Sequence, residues 1–256
     1  MDDHHSMRNQ PTLEERLHQI RRRVAAAAQR AQRDPAGIRL VAVSKGQPAG
    51  LVREAFDAGM RDFGENYLEE AEPKIRTLEP AITWHMIGHV QSRKARGVAE
   101  LFPFVHSVDS APLANRLSRF AVERGKTVII LLECNLSGET TKFGWPAADP
   151  PAWETLLRQW EPILPLPGIS VIGLMTMAPF SDDPEKSRPV FRRLRLLRDA
   201  ARARFPELLG AELSMGMSDD FEPAVEEGAT LIRIGRSLFG PRIAAARDTN
   251  SSGPMI

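Results

Sequence analysis

The chain has one cysteine in 256 residues, Cys134, which excludes an internal disulfide and points to a reducing compartment. Its place at the end of the apolar run Val128 to Cys134 marks it as a packed core thiol rather than a reactive one. An excess of either charge is also lacking: 34 Lys and Arg face 33 Asp and Glu, a formal net charge of +1, so the overall balance argues for neither nucleic acid nor an acidic surface as partner. No apolar stretch reaches the roughly 18 residues of a membrane span. The start Met1-Asp2-Asp3-His4-His5 has neither the basic flank nor the apolar core of a leader, so the chain reads as soluble and cytoplasmic. Two fingerprints are missing as well. Without Gly-x-Gly-x-x-Gly after the first strand an open dinucleotide-binding sheet is disfavoured, and without Gly-x-Ser-x-Gly so is a serine hydrolase; Ser137-Gly138-Glu139 is no such elbow.

What is present is an alternation of short apolar runs and helical periodicities. Leu13, Leu17, Ile20, Val24 and Ala27 recur at helical spacing behind a capping box of Thr12 and Glu15. Strands are then expected at 38–44, 62–64, 82–87, 104–108, 127–135, 169–175, 211–215 and 230–234. Helices are expected at 48–58, 66–78, 92–101, 112–124, 148–161, 184–204 and 220–227. Eight strands, each but the last clearly followed by a helix, predict a parallel sheet closed into a single TIM-type (β/α)8 barrel. The barrel domain is expected over 11–243, with disordered tails at 1–10 and 244–256, which makes His4 and His5 tail residues rather than metal ligands. The basic run Arg192-Arg193-Leu194-Arg195-Leu196-Leu197-Arg198 shares its helix with Phe191, Leu194, Leu197, Ala201 and Phe205 on one face, so its arginines read as the solvated outside of a barrel helix.

In such a barrel the strand ends converge on one mouth. Here they contribute Lys45, Asn66, His85, Gly88, His89, Ser107, Asn135, Met175, Thr176, Ser214, Ser218, Arg233 and Gly235. A lysine after a strand is usually a solvated loop residue. At a barrel mouth, desolvation would lower its pKa and leave neutral amine to attack an aldehyde. The ends of strands seven and eight, Ser214-Met215-Gly216-Met217-Ser218 and Arg233-Ile234-Gly235-Arg236, supply Gly, Ser and Arg where a barrel commonly holds phosphate. Together they suggest a phosphorylated aldehyde held as an imine, with Arg233 placed to face a ring nitrogen and keep it unprotonated. His85 and His89 share the spacing of helical zinc pairs but straddle a strand end and a glycine loop with no carboxylate between, a poor metal site.

Leu40-Val41-Ala42-Val43-Ser44-Lys45, Phe63-Gly64-Glu65-Asn66-Tyr67, Trp84-His85-Met86-Ile87-Gly88, His106-Ser107-Val108-Asp109, Gly173-Leu174-Met175-Thr176-Met177, Ser214-Met215-Gly216-Met217-Ser218-Asp219-Asp220 and Arg233-Ile234-Gly235 resemble, in order, the signature of the pyridoxal phosphate homeostasis proteins (YggS/PROSC type). The resemblance runs from about residue 12 to 243. It implies a fold-type III barrel without the C-terminal β domain of the racemases, carrying pyridoxal 5'-phosphate as an aldimine on Lys45. It also implies Ser218, Gly235 and Arg236 at the phosphate, Arg233 at the pyridine nitrogen and Asn66 near the ring. Members of that family are thought to buffer or deliver the cofactor with little or no catalysis, which makes amino acids and cofactor-requiring apoenzymes the implied partners. Two departures stand out: Arg236 where the family often has Thr, and Arg93 where an Asn is common. The rival reading is an amino-acid racemase of the alanine racemase type. It would want a second domain and an opposing tyrosine base, whereas the sole tyrosine is Tyr67 and about sixteen residues follow Gly240.

Overall fold

Thr12 opens the first helix as its sequence demands. Its Oγ1 accepts from the Glu15 amide at 3.2 Å while the Glu15 carboxylate accepts from the Thr12 amide at 2.7 Å, satisfying two otherwise orphaned donors. The computed structural model describes residues 11–207 and 209–241, and the two expected tails lie outside them. Helix α1 (Leu13–Arg30) buries Leu13, Leu17, Ile20, Val24 and Ala27, the stripe its spacing predicts.

The alternation that follows is β1 (Arg39–Val43), α2 (Ala49–Asp57), β2 (Asp62–Glu65), α3 (Leu68–Thr77), β3 (Thr83–Met86), α4 (Ala95–Leu101), β4 (Phe104–Val108) and α5 (Ala111–Glu123). Next come β5 (Val128–Asn135), β6 (Trp145–Pro146), α6 (Trp153–Trp160), β7 (Ile169–Met175), α7 (Arg188–Arg204), β8 (Glu212–Met217), α8 (Phe221–Glu226), β9 (Leu231–Ile234) and α9 (Arg236–Phe239). Every pairing is parallel, in the order β1-β2-β3-β4-β5-β7-β8-β9, and β9 returns to β1 through Arg39↔Leu231 to Ala42↔Ile234. That is a closed eight-stranded α/β barrel, as the alternation predicts.

Three details depart from the sequence pattern. The loop after β5 carries the two-residue β6, which pairs only with β5 through Cys134↔Trp145 and Asn135↔Pro146 and is too short to leave a period. The helices expected from 148 and 184 begin as single 3-10 turns at Pro150–Ala152 and Pro184–Ser187, the tighter winding common at helix N-termini. A one-turn helix, α9, follows the last strand where no helix was clear.

Side chains alternate between two shells. Leu40, Ala42, Leu174, Leu213 and Met215 pack outward against the helices, whereas Val41, Leu131, Met175 and Leu231 form a small inner cluster that plugs the barrel. The register of β8 against β9 slips between Ser214↔Leu231 and Met217↔Arg233, one extra residue on β8. Gly216 absorbs it at φ +92°, where a Cβ would stand 2.5 Å from that of Ala224. Such a bulge re-aims the strand end, here the segment leading to Ser218. On α7 the apolar face Phe191, Leu194, Leu197 and Ala201 is buried, and Arg188, Arg195 and Arg204 pair with Glu226, Glu227 and Glu154, the solvated exterior that was expected. Cys134 is buried, and burial pushes its thiol pKa well up, as befits a core residue. Among the described residues no helix is long and apolar enough to cross a membrane.

Candidate functional site

Lys45 is half-buried in the turn immediately after β1, where Gly46 adopts φ +71°. The last pair of β1 with β2 is Val43↔Gly64, followed by Ser44 N–H donating to Gly64 O at 3.0 Å, so the turn carrying Lys45 leaves next to the end of β2, which Asn66 follows. The pairing Ala42↔Ile234 brings Val43 alongside Gly235. A Cβ on Gly235 would lie 3.4 Å from that of Val43. Three of the predicted site segments, widely separated in sequence, therefore become adjacent strand ends.

Behind the turn lies a clasp that sequence reasoning missed. Lys74 Nζ donates to Ser44 O at 2.9 Å, to Glu65 Oε1 at 2.8 Å and to Glu70 Oε1 at 2.7 Å, while Ser44 Oγ donates to Glu65 Oε1 at 2.7 Å and the Gly46 amide to Glu70 Oε1 at 2.5 Å. Glu65 is fully buried, and desolvation raises its pKa against the pull of Lys74. A buried pair so bonded fixes the residues on both sides of Lys45. The signal was present as Glu70 and Lys74 four apart on α3, but nothing local said that this face of the helix points at β1.

Across the mouth a pocket of about 430 Å3 is lined by Asn66, Gly88, Val90, Glu133, Phe143 and Met177, among others. Gly88 belongs there for a steric reason, since a Cβ on it would stand 2.4 Å from the Asn66 carbonyl oxygen. Two buried acceptors in this pocket, Asn66 Oδ1 and Glu133 Oε2, have no hydrogen-bond partner among the described residues. Glu133 was also missed, although a carboxylate within Val128-Ile129-Ile130-Leu131-Leu132-Glu133-Cys134 is the anomaly that could have found it. Burial and then the charge of Asp109 raise its pKa to about 7, with Arg233 opposing.

Arg233 projects into the barrel interior and is 3% exposed. Its Nη1 donates to Ser214 Oγ at 2.5 Å and its Nη2 to the Thr176 carbonyl at 2.9 Å. Desolvation lowers its pKa to about 10. Ser214 Oγ lies 2.8 Å from His106 Nδ1, His106 Nε2 lies 2.9 Å from His85 Nδ1, and His85 Nε2 lies 2.9 Å from Asp62 Oδ1. His85 and Ser214, expected at the mouth, thus lie inside the barrel in a chain that holds Arg233. Burial lowers the pKa of both histidines.

Ser218 is brought to α9: its Oγ accepts from the Ser237 amide at 3.3 Å, which sets the hydroxyl over the first turn that follows Gly235 and Arg236. The Arg236 guanidinium is largely exposed and pairs with Asp219, so its charge is directed outward. His89 stacks on Phe143 at 3.7 Å between centroids and pairs with Asp109 at 3.0 Å, and among the described residues no cluster could hold a metal ion. Ser107, Thr176 and Asn135 each donate a hydrogen bond to a backbone carbonyl, of Gly88, Cys134 and Glu139, and so shape the mouth rather than face a ligand.

With this geometry in place, comparison with known proteins is informative. Residues 16–242 match the family model for the alanine racemase N-terminal domain. A pyridoxal phosphate homeostasis protein of Pseudomonas aeruginosa is 44% identical over 234 residues, which cover 90% of this chain and 96% of that protein. PipY of Synechococcus elongatus, solved with and without pyridoxal phosphate (PLP), is 38% identical, with TM-scores of 0.76 and 0.79 over 90% of this chain and all of PipY. Alanine racemase of Corynebacterium glutamicum, at 16% identity and TM-score 0.60 over 87% of this chain and 60% of its own, shares the fold alone. The fold class is thus the barrel of the alanine racemase N-terminal domain. Within that class, the chain belongs to the pyridoxal phosphate homeostasis protein family.

Proposed function

We propose that this protein binds pyridoxal 5'-phosphate at the barrel mouth, linked to Lys45, and buffers or delivers it rather than turning over a substrate. The observation that carries the reading is Lys45 in the turn after β1, next to the end of β2, after which Asn66 has a buried Oδ1 with no partner among the described residues. The kinship with PipY, which was solved with PLP bound, supports it. The residues fit the group: Lys45 offers an amine in the turn after β1, and Ser218 Oγ stands over the first turn of α9 where phosphate donors lie. The neighbouring pocket of about 430 Å3, to which Asn66 contributes, holds buried acceptors without a partner among the described residues.

When bound, PLP supplies an aldehyde that a lysine amine captures and a pyridine ring that can take up electrons. Lys45 Nζ would be the point of attachment for the aldehyde carbon. Ser218 Oγ and the amides of Gly235 and Arg236 would hold the phosphate, and Asn66 would lie near the ring. Arg233, whose guanidinium only donates, would face the ring nitrogen and keep it unprotonated, which would weaken the ring as an electron sink and favour storage over turnover. Amino acids and apoenzymes that need the cofactor are the acceptors.

Borohydride treatment of PLP-loaded protein followed by peptide mass mapping tests this. A pyridoxyl group on the peptide containing Lys45 is expected, and a label elsewhere with Lys45 unmodified overturns the reading.

A further inference from the structure

The roles above leave Glu133 unused. It is 3% exposed near the end of β5, its Oε2 has no partner among the described residues, and it lines the same pocket as Asn66. Leaving a buried carboxyl oxygen unpaired is costly, and a ligand that brings N–H donors removes that cost. Both unpartnered atoms of this pocket are acceptors, so the missing group is a donor.

We propose that Glu133 is the proton acceptor for a primary amine that enters this pocket to take the bound aldehyde from Lys45. The inference rests on Lys45 as the point of attachment. An amino acid arrives as an ammonium ion, which has three N–H donors but no lone pair with which to attack. Glu133 takes one proton, and the nitrogen lone pair so released forms the new C–N bond. As that bond forms, the π pair of the C=N bond to Lys45 would move to the lysine nitrogen, and the incoming nitrogen would then pass a second proton to the lysine nitrogen, through Glu133 or solvent. The lysine would leave as a neutral amine with the C–N electron pair while the incoming nitrogen closes the new C=N bond and the protonated Glu133 returns its proton to the lysine or to solvent. Protons and electrons balance without any oxidant or reductant.

Arg233 on β9 and Asp109 after β4 act on the charge of Glu133, and His89 and Lys94 stand on the pocket rim, paired with Asp109 and Glu69. Burial above all, with the charge of Asp109 adding to it and that of Arg233 opposing, leaves its pKa at about 7, where a carboxylate both accepts and returns a proton at neutral pH.

Glu133→Gln keeps the shape and removes the proton site. With PLP-loaded protein at pH 7.5, displacement from Lys45 is followed by absorbance and by loss of borohydride-fixed label, using L-alanine and, separately, hydroxylamine, whose nitrogen is already neutral. Displacement by alanine is expected to slow by about 10²-fold or more while displacement by hydroxylamine is unchanged. An independent readout uses cofactor-free protein with 13C-labelled glutamate: L-alanine should lower the apparent pKa of Glu133, read from its carboxyl shift. Equal alanine rates in both proteins, or equal slowing with both amines, overturns the proposal by leaving Glu133 only a packing role. Label absent from Lys45 in the unsubstituted protein marks the failure of the attachment reading instead.

Discussion

Lys74 on α3 donates to the carbonyl oxygen of Ser44, 2.9 Å away, and so grips the backbone one residue before Lys45 from outside the barrel. The same ammonium is shared by the buried Glu65, so the placement of the predicted cofactor lysine depends on a buried ion pair.

Replacing Lys74 by Met leaves Glu65 buried without its partner. A loss of about 3–5 kcal/mol in urea unfolding is expected, most of it recovered in the double variant Glu65→Leu/Lys74→Met, in which neither charge remains. Full destabilisation in the double variant would mean that packing, not the unpaired charge, is at stake.

Glu133 gives stability a pH slope of definite sign. Its pKa in the folded chain, about 7, exceeds its ordinary 4.5, so the folded state binds the proton more tightly. Its contribution is fully present below about pH 4.5 and is lost as pH rises through 7, a total of about 3 kcal/mol. Chemical denaturation of the cofactor-free protein at a series of pH values from 5 to 8 should show this fall relative to Glu133→Gln, which lacks it. Parallel curves for the two proteins would contradict it.

With both histidines neutral, the form that burial favours by lowering their pKa values, the chain from Arg233 to Asp62 has one consistent proton order. A guanidinium only donates and a carboxylate only accepts, so Ser214 donates to His106 Nδ1, His106 Nε2–H to His85 Nδ1, and His85 Nε2–H to Asp62. Both histidines are therefore Nε2–H tautomers, and their lowered pKa values keep them neutral as pH falls below 6.5. Long-range 1H–15N spectra at pH 7 should show two such imidazoles, and an Nδ1–H pattern for either would break the chain.

Ser218→Ala should weaken binding of pyridoxal phosphate by about 1.5–3 kcal/mol, the worth of one charge-assisted hydrogen bond, and leave unphosphorylated pyridoxal nearly unaffected. Equilibrium titration of both ligands decides it, since equal weakening would place the phosphate elsewhere.

Racemisation needs a base on each face of the cofactor, and Tyr67 is 61% exposed at the entrance to α3. Alanine is expected to keep its configuration on incubation with the PLP-loaded protein. The measure is chiral chromatography against an ordinary enzymatic rate of about 1 to 10³ per second. Rapid conversion that vanishes in Lys45→Ala would favour the racemase reading.

The eight-unit alternation, the capping box at Thr12 and the apolar stripe of α7 could be read from the chain, because periods of 2.0 and 3.6 residues and end caps are local properties. Lys45, Asn66, Ser218, Arg233 and Gly235 could be picked out for the same reason: each follows or ends a recognisable strand, and a parallel barrel sends all such ends to one face. Tertiary structure alone decided how far down the barrel each side chain sits. Only the folded barrel shows that His85 and Ser214 lie beneath the mouth in the chain to Arg233, that Glu133 reaches the pocket beside Asn66, and that Lys74 holds the turn carrying Lys45. These depend on strand stagger, on the bulge at Gly216 and on which helix face meets which strand, quantities fixed by packing between residues far apart in sequence and written in no local period.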